Sequence, residues 1–315
     1  MPQGSVLGPV LFTLFINDID RAVEVTGSHI LKFADDTKWY MVVNTEEESR
    51  QFQEGITRLE NWSREWQMLF NEDKCHILHL GAKNAEFKYS MGGRELDSVD
   101  SEKDLGVIIH KTLKPSLQCV KAAARANMVL GQMGRAITYR DKVTFIRLYC
   151  VYVRPHLEYA VQSWCPYNVA DKEVLEKVQK RAIAMVSNFS SKSYEEKLKE
   201  VGMTTLEERR HRGDLIQMYK IMSGKENVDF RIWFETLADQ RGPNIMTRHS
   251  SGLYNVVQKN SNSDLRRNFF SQRICSTWNN LPDIVKSSNS VNTFKNRLDD
   301  HTHPGTLGYR PHLLQ

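Results

Sequence analysis

Residues 30–43 read Ile30-Leu31-Lys32-Phe33-Ala34-Asp35-Asp36-Thr37-Lys38-Trp39-Tyr40-Met41-Val42-Val43. Two apolar runs flank an adjacent carboxylate pair, a pattern that predicts two strands joined by a tight hairpin. Successive side chains on a strand point to opposite faces, so Asp35 and Asp36 converge on one ligand only where the backbone turns. Two carboxylates held close repel. An oxygen-loving divalent cation relieves that repulsion while keeping waters or phosphate oxygens as further ligands. A polar pair between strands is also an ordinary solvated turn, so the pair by itself leaves both readings open.

Upstream of this hairpin, Leu7, Leu11, Phe12, Phe15, Ile16, Ile19 and Val23 recur at helical spacing after Gly8-Pro9, which predicts a buried helix. Downstream, Thr45-Glu46-Glu47-Glu48 offers a capping box for a helix running to about Leu69. Its apolar stripe is Phe52, Ile56, Leu59, Trp62, Trp66 and Leu69. Strands are expected at Cys75 to Leu80, Glu86 to Tyr89, Arg94 to Asp97 and Leu105 to Ile109, with Gly92-Gly93 as a hairpin turn. Residues 1–110 therefore read as α+β.

Beyond His110 the period changes. Apolar positions three and four apart over residues 116–134, 141–167, 171–187 and 206–223 predict a helical domain over 111–223. Pro155 and Pro166 should bend or end the second of these helices. From Gly224 onward Ser and Asn are frequent, and order is expected to return at Phe269-Phe270, Trp278-Asn279-Asn280-Leu281-Pro282 and Phe294 to Leu298. The Ser-Asn stretch around Ser288 and the last dozen residues are expected to be mobile, so 224–315 reads as a partly ordered extension.

Composition bounds the function. The 315 residues suffice for two domains, and 40% hydrophobic with 26% charged residues is ordinary for a globular chain. The longest mostly apolar stretch, Val6 to Ile16, is interrupted by Gly8-Pro9 and falls short of the roughly 20 residues that span a bilayer, so no membrane partner is expected. The segment Met1-Pro2-Gln3-Gly4-Ser5 has no basic region or secretory cleavage site, which predicts an intracellular protein. Cys75, Cys119, Cys150, Cys165 and Cys275 form no CxxC pair, arguing against a disulfide framework or a structural zinc site. Residues 1–110 hold 11 Lys and Arg against 19 Asp and Glu, and the remainder 32 against 19, so net −8 is followed by net +13. An acidic segment before a basic one suggests a cation site coupled to a surface for a polyanion, with nucleic acid the obvious candidate.

Pro2-Gln3-Gly4-Ser5-Val6-Leu7-Gly8-Pro9, then Phe15-Ile16-Asn17-Asp18-Ile19, then Phe33-Ala34-Asp35-Asp36-Thr37 stand in an order and spacing that resemble successive motifs of one family. The chain is similar to the reverse transcriptase of non-LTR retrotransposons of the jockey-like kind. Asn71-Glu72-Asp73-Lys74-Cys75 resembles that family's following lysine motif, and Lys103-Asp104-Leu105-Gly106-Val107 its leucine-glycine segment near the primer. Val153-Arg154-Pro155-His156-Leu157-Glu158-Tyr159-Ala160 and Trp278-Asn279-Asn280-Leu281-Pro282 look like segments that follow the polymerase core.

The resemblance implies RNA-directed DNA polymerisation, with dNTPs, an RNA template, a DNA primer and an RNA–DNA hybrid as partners, in the nucleus or cytoplasm. It implies two Mg²⁺ ions, with Mn²⁺ as an alternative, clamping the attacking and leaving oxygens. Asp35 is expected to be a direct metal ligand and Asp36 a ligand or its support. Lys74 is expected to supply a proton or positive charge to the leaving pyrophosphate. Gln3 and Gly4 would lie beside the templating base and incoming nucleotide, although the same residues read as a turn with Ser5 as a helix cap. Leu105 and Gly106 would position the primer backbone, and they equally suit an ordinary turn. Fold expectations follow: the later part of a palm over 1–110, a thumb-like helical domain over 111–223, and an extension.

Arg125, Arg135, Arg140, Arg147, Arg154, Lys180-Arg181 and Arg209-Arg210-His211-Arg212 are candidates for phosphate contacts. Asp299-Asp300 with His301-Thr302-His303 suggests either a second metal site or, more simply, a solvated tail. One departure matters. The family's further aspartate, from an earlier strand, and its fingers have no counterpart here, and Asp18 and Asp20 are no substitutes because they fall within a helix. The expectation is a C-terminal portion of a reverse transcriptase, inactive alone, with an exposed sheet edge and apolar surface. A non-enzymatic RNA/DNA-binding remnant and a decayed element product are the other readings.

Overall fold

The computed structural model describes residues 4–23, 25, 27–187, 192–237 and 255–303. The chain divides into two units, Met1–Asp104 with Ile109–Leu113, and Leu105–Ile108 with Lys114–Gln315.

In the first unit the apolar period of the N-terminal segment produces two helices rather than one. Helix α1 (Gly8–Phe15) stops at Ile16, and α2 (Ile19–Ala22) follows the Asn17-Asp18 break. The expected burial of the whole stripe is corrected: α1 buries no residue, and Leu7, Leu11 and Leu14 are exposed, whereas Ile16, Ile19 and Val23 enter a core with Leu59 and Trp62. Spacing sets which side chains share a face; it does not supply a partner for that face.

Strands β1 (Ser28–Phe33) and β2 (Asp36–Met41) pair antiparallel from Ser28↔Met41 to Phe33↔Asp36 and form a two-stranded sheet. Ile30 and Trp39 point inward. Leu31, Phe33 and Tyr40 remain exposed on the other face. Helix α3 (Glu46–Glu65) begins with the expected capping box, Thr45 Oγ1 accepting from the Glu48 amide while the Glu48 carboxylate accepts from the Asn44 and Thr45 amides. Those backbone donors hold the Glu48 carboxyl below its ordinary value. The helix ends at Glu65, a turn earlier than its stripe predicts, so Trp66 and Leu69 are exposed. Gly55 has a steric role, since a Cβ there would stand 2.1 Å from Trp39 Cη2, so the absent side chain lets β2 lie against α3.

The remaining strands are shorter than expected. β3 (His76–Ile77) pairs in parallel with β6 (Asp97–Ser98), and β4 (Ser90–Met91) pairs with β5 (Arg94–Glu95) across Gly92-Gly93, whose φ angles of 62° and 79° make the expected turn. No strand starts at Glu86, because Asn84 Oδ1 accepts the Glu86 amide and Glu86 adopts a φ of 51°, a side-chain-stabilised turn. β7 (Ser101–Asp104) and β8 (Val107–His110) flank Leu105-Gly106.

The second unit is helical. It contains α4 (Ser116–Ala136), α5 (Lys142–Leu148), one π-helical turn at Tyr149–Val153, α6 (Arg154–Glu158), α7 (Val161–Trp164), α8 (Val169–Ala184), α9 (Tyr194–Val201) and α10 (Leu206–Met222). The expected 141–167 helix is broken as its prolines require. Pro155 has no N–H to donate and follows the π turn, and α7 stops before Cys165-Pro166. Helix α9 was not foreseen, although Ser193 and Glu196 form a capping box and Gly202 closes it in the left-handed conformation. Gln179, fully buried, ties four segments together: it accepts from Tyr149 Oη at 3.0 Å and donates to Glu176, Tyr194 Oη and the Thr204 carbonyl.

Phe270, Trp278, Leu281, Phe294 and Leu298 pack with Leu215 and Met218 in a second core, as the C-terminal motifs predict. The stretch around Ser288 is ordered, correcting the expected mobility. Its carbonyl accepts from buried Tyr219 Oη at 2.6 Å, and Ser290 caps the Val291–Thr302 helix. The last dozen residues lie outside the described residues. Of the Asp299-to-His303 stretch, Asp299 departs from the solvated reading for a tertiary reason, being buried and receiving two hydrogen bonds from Arg212, at 2.6 and 2.9 Å, whereas Asp300, His301 and Thr302 are exposed.

Candidate active site

The tip of the β1–β2 hairpin is a two-residue turn, Ala34-Asp35, with Asp36 opening β2 opposite Phe33. Ala34 has a φ of 53°, a conformation that a non-glycine residue holds only under local strain, and it immediately precedes Asp35. Both carboxylates are exposed, and among the described residues neither forms an ion pair. The neighbouring cation, Lys38, pairs with Asp104 at 2.5 Å. Two hard oxygen donors without a protein counter-charge have the chemistry that suits a divalent cation of the magnesium type. The set is incomplete as a cage, because no group of three or more His, Cys, Asp or Glu side chains gathers among the described residues.

The hairpin is held at its base. Lys32 Nζ reaches the Ile16 and Asn17 carbonyls, each at 3.3 Å, and pairs with Asp20 at 2.8 Å. A cation thus sits on the carbonyl end of the first helix. Asp18 accepts from Trp62 Nε1 at 3.2 Å. The Phe15-to-Ile19 motif therefore anchors the hairpin to α2 and α3, and Asp18 and Asp20 have structural partners. Lys32→Met should lower unfolding free energy in urea by about 1–2 kcal/mol through the lost carbonyl contacts; a change within about 0.3 kcal/mol would show that this anchor is idle.

Lys74 ends the 3₁₀ turn Glu72–Lys74 and is exposed. That turn is tied to the Gly92-Gly93 hairpin by an Asp73–Arg94 ion pair, and a Cβ at Gly92 would collide with the Glu72 carboxylate. Gly4 is exposed, with a φ of 84°. The cap reading of Ser5 has a physical basis, since its Oγ accepts from the Gly8 amide at 3.1 Å. Gln3 lies outside the described residues.

In the second unit, Leu105 and Gly106 both have positive φ, 45° and 86°. The sequence motif missed Tyr159, whose hydroxyl donates to the Leu105 carbonyl at 3.0 Å and whose ring would stand 3.2 Å from a Cβ at Gly106. Its position in the Val153-to-Ala160 motif was the available signal. The basic candidates separate by burial. Arg140 donates to the Ile137 and Gly134 carbonyls, Arg154 and Arg209 both pair with Glu158, Arg212 with Asp299, and Arg210 is buried. These five are part of the fold, correcting the expectation of free phosphate contacts for them. Arg125, Arg135, Arg147, Lys180 and Arg181 are exposed, as is Tyr152, whereas Tyr149 is a fully buried packing residue.

Comparison with known proteins bears on the hairpin directly. Residues 1–109 match the reverse transcriptase (RNA-dependent DNA polymerase) family. The reverse transcriptase match covers the aspartate hairpin and the lysine turn. The chain is 27% identical over 203 residues to the RNA-directed DNA polymerase from mobile element jockey of Drosophila funebris, covering 60% of this chain and 22% of that protein. It is 25% identical over 202 residues to the probable RNA-directed DNA polymerase from transposon BS of Drosophila melanogaster, covering 60% and 22% respectively. The chain thus spans about a fifth of the length of the curated relatives it matches, and the aligned stretch is longer than the 109-residue family match. No solved structure matches it significantly.

No helix among the described residues is long and apolar enough to cross a membrane. All five cysteines are free, and burial pushes the Cys119 thiol up to about 12.

Proposed function

We propose that this chain is the C-terminal portion of a non-LTR retrotransposon reverse transcriptase, carrying the aspartate hairpin of the palm followed by a thumb-like helical region. The observation that supports this is the exposed Asp35-Asp36 pair at a hairpin tip inside the segment that matches the reverse transcriptase family. The reaction is attack of a primer 3′-oxygen on the α-phosphorus of a dNTP opposite an RNA template, with pyrophosphate leaving.

Mg²⁺, or Mn²⁺, supplies charge neutralisation at the attacking and leaving oxygens when bound. Asp35 in the turn and Asp36 at the strand edge hold it, Asp35 as direct ligand and Asp36 as ligand or support. Lys74 donates a proton or positive charge to the pyrophosphate. Gln3 and Gly4 lie by the nascent base pair, where a glycine lets backbone approach closely and an amide side chain can hydrogen-bond. Leu105 and Gly106 position the primer, and Tyr159 fixes their turn. Arg125, Arg135 and Arg147 supply phosphate contacts to the RNA–DNA hybrid.

The test is a graft of residues 1–109 in place of the matching segment of the Drosophila funebris jockey polymerase, assayed on a primed RNA template with Mg²⁺. DNA synthesis is expected; a folded graft that binds the primed template and makes no DNA would reject the reading. The 315-residue chain alone is expected not to extend the primer, because among the described residues no third carboxylate, histidine or cysteine joins Asp35 and Asp36 at the hairpin tip. Template-dependent extension by that chain, lost in Asp35→Ala, would overturn this second expectation.

A further inference from the structure

The one-turn helix Phe230–Trp233, within the second unit, leaves large apolar side chains in solvent. Ile232 is 79% exposed, Trp233 38% and Phe269 39%. The Trp233 and Phe269 rings lie parallel, 6° between planes and 6.1 Å between centroids, so they form one aromatic surface. Phe270, a core residue, meets the indole edge-on at 6.3 Å and fixes it to the second core. Single exposed apolar residues are ordinary, whereas a contiguous and rigidly mounted set marks a contact surface.

Trp233 lines a cavity of about 510 Å³ with Arg231, Glu235, Lys259, Arg266 and Gln272. The Arg231 guanidinium lies over the Phe230 ring, 5.1 Å from its centroid, and the Arg266 guanidinium over Phe269 at 5.4 Å. Both arginines are exposed, and neither has an acid partner among the described residues. The nearest acids in sequence have other tasks: Asp229 accepts the Arg231 backbone amide at 3.0 Å as the helix cap, and Asp264 pairs with Arg267 at 2.8 Å. Glu235 pairs with Lys259 at 3.1 Å. Three cations against one acid leave the described lining with two positive charges in excess. Gln272 is 4% exposed, and its Oε1 accepts the Lys259 amide at 3.1 Å. That bond orients the amide and leaves Nε2 as a donor without a partner among the described residues.

We infer that this cavity takes an unpaired nucleotide of a single-stranded nucleic acid, with its base against the Trp233 and Phe269 rings and its flanking phosphates on Arg231 and Arg266. Aromatic rings interleaved with arginines match what a single strand presents, a π-face on every base and a negative charge at every linkage. A duplex covers those base faces with neighbouring pairs, so it would use the charges and leave the rings idle. The volume lies in the roughly 300–1,000 Å³ range of pockets that enclose small organic groups. Gln272 Nε2 would donate to a base carbonyl, a contact that several bases can accept. The site goes beyond the polymerase reading and stands without it, since it shares no residue with the family-matched segment or with the arginines assigned to the hybrid. RNA and DNA single strands share this chemistry.

The test is fluorescence anisotropy of the full chain with labelled oligo(U) and oligo(dT) of about 12 nucleotides, alongside Trp233→Ala, Trp233→Phe and the Arg231→Gln/Arg266→Gln double variant. Trp233→Ala should weaken binding about 5- to 150-fold, the range for one lost base–aromatic stack, and Trp233→Phe should recover most of it. The double variant replaces exposed side chains without ion pairs and should keep the fold, while flattening the slope of log affinity against log salt by about 0.7 per arginine. Photocrosslinking of thio-substituted oligonucleotides to the wild type, mapped by mass spectrometry, should place crosslinks within residues 231–235 or 266–269; this readout needs no variant to fold. Tighter binding of oligo(U) than of oligo(dT) would assign the strand to RNA, and the reverse to DNA. No crosslinks in those segments, or unchanged affinity in both Trp233→Ala and the double variant, would overturn the proposal. So would displacement of the oligonucleotide by polyphosphate or an acidic peptide of equal charge at the same concentration as by unlabelled oligo(U), because the rings would then contribute nothing.

Discussion

In the active graft, Asp35→Asn is expected to reduce RNA-templated primer extension by about 10³-fold or more, with primer–template affinity changed far less. Asparagine keeps the volume of the side chain and one oxygen but removes the negative charge that a divalent cation requires. Losing one preorganised electrostatic group costs about 10²–10³ in rate, and a direct metal ligand belongs at or above the upper end. The fold should survive, because Asp35 is exposed and makes no ion pair among the described residues. Asp36→Asn separates the two roles. A loss as deep as that of Asp35→Asn marks Asp36 as a ligand, and a loss of tenfold or less marks it as a support. Extension by Asp35→Asn within a few fold of the parent would remove the hairpin tip from the chemistry altogether.

The largest stability effect is expected at the other end of the chain. Asp299→Ala should destabilise the second unit by about 3–5 kcal/mol, because it leaves the largely buried Arg212 guanidinium without its carboxylate. The two residues are 87 apart in sequence, so their pairing holds the final helix to α10. Urea unfolding followed by far-ultraviolet circular dichroism measures it. Replacing both partners, Arg212→Met with Asp299→Leu, should recover much of the loss, since the penalty lies in the orphaned charge rather than in the missing attraction. A single-variant cost below about 1 kcal/mol would show that water already serves the pair.

These two sites also show where the sequence was legible. The hairpin, the Thr45–Glu48 capping box and the Gly92-Gly93 turn are local: each is specified within a few residues, and each appears where its pattern stands. Asp299–Arg212 and Glu158–Arg209 are tertiary, and no local pattern distinguishes an arginine that will meet a carboxylate 51 or 87 residues away from one that will meet a phosphate. The helical stripe of residues 7–23 failed in a third way, because periodicity defines a face without saying what covers it. The strand expected from Glu86 failed because a side-chain turn at Asn84 overrode β-propensity. Arg210 reads from sequence as a candidate phosphate contact, and its burial is visible only once α10 is packed.

Ala34 has a consequence for the entropy of the tip. A glycine there would relax the backbone, yet it would also let the two carboxylates sample many separations before any cation arrives. Alanine in the left-handed region costs about 1 kcal/mol and narrows that sampling. The ordering of the carboxylates is then paid during folding, once, instead of at every binding event.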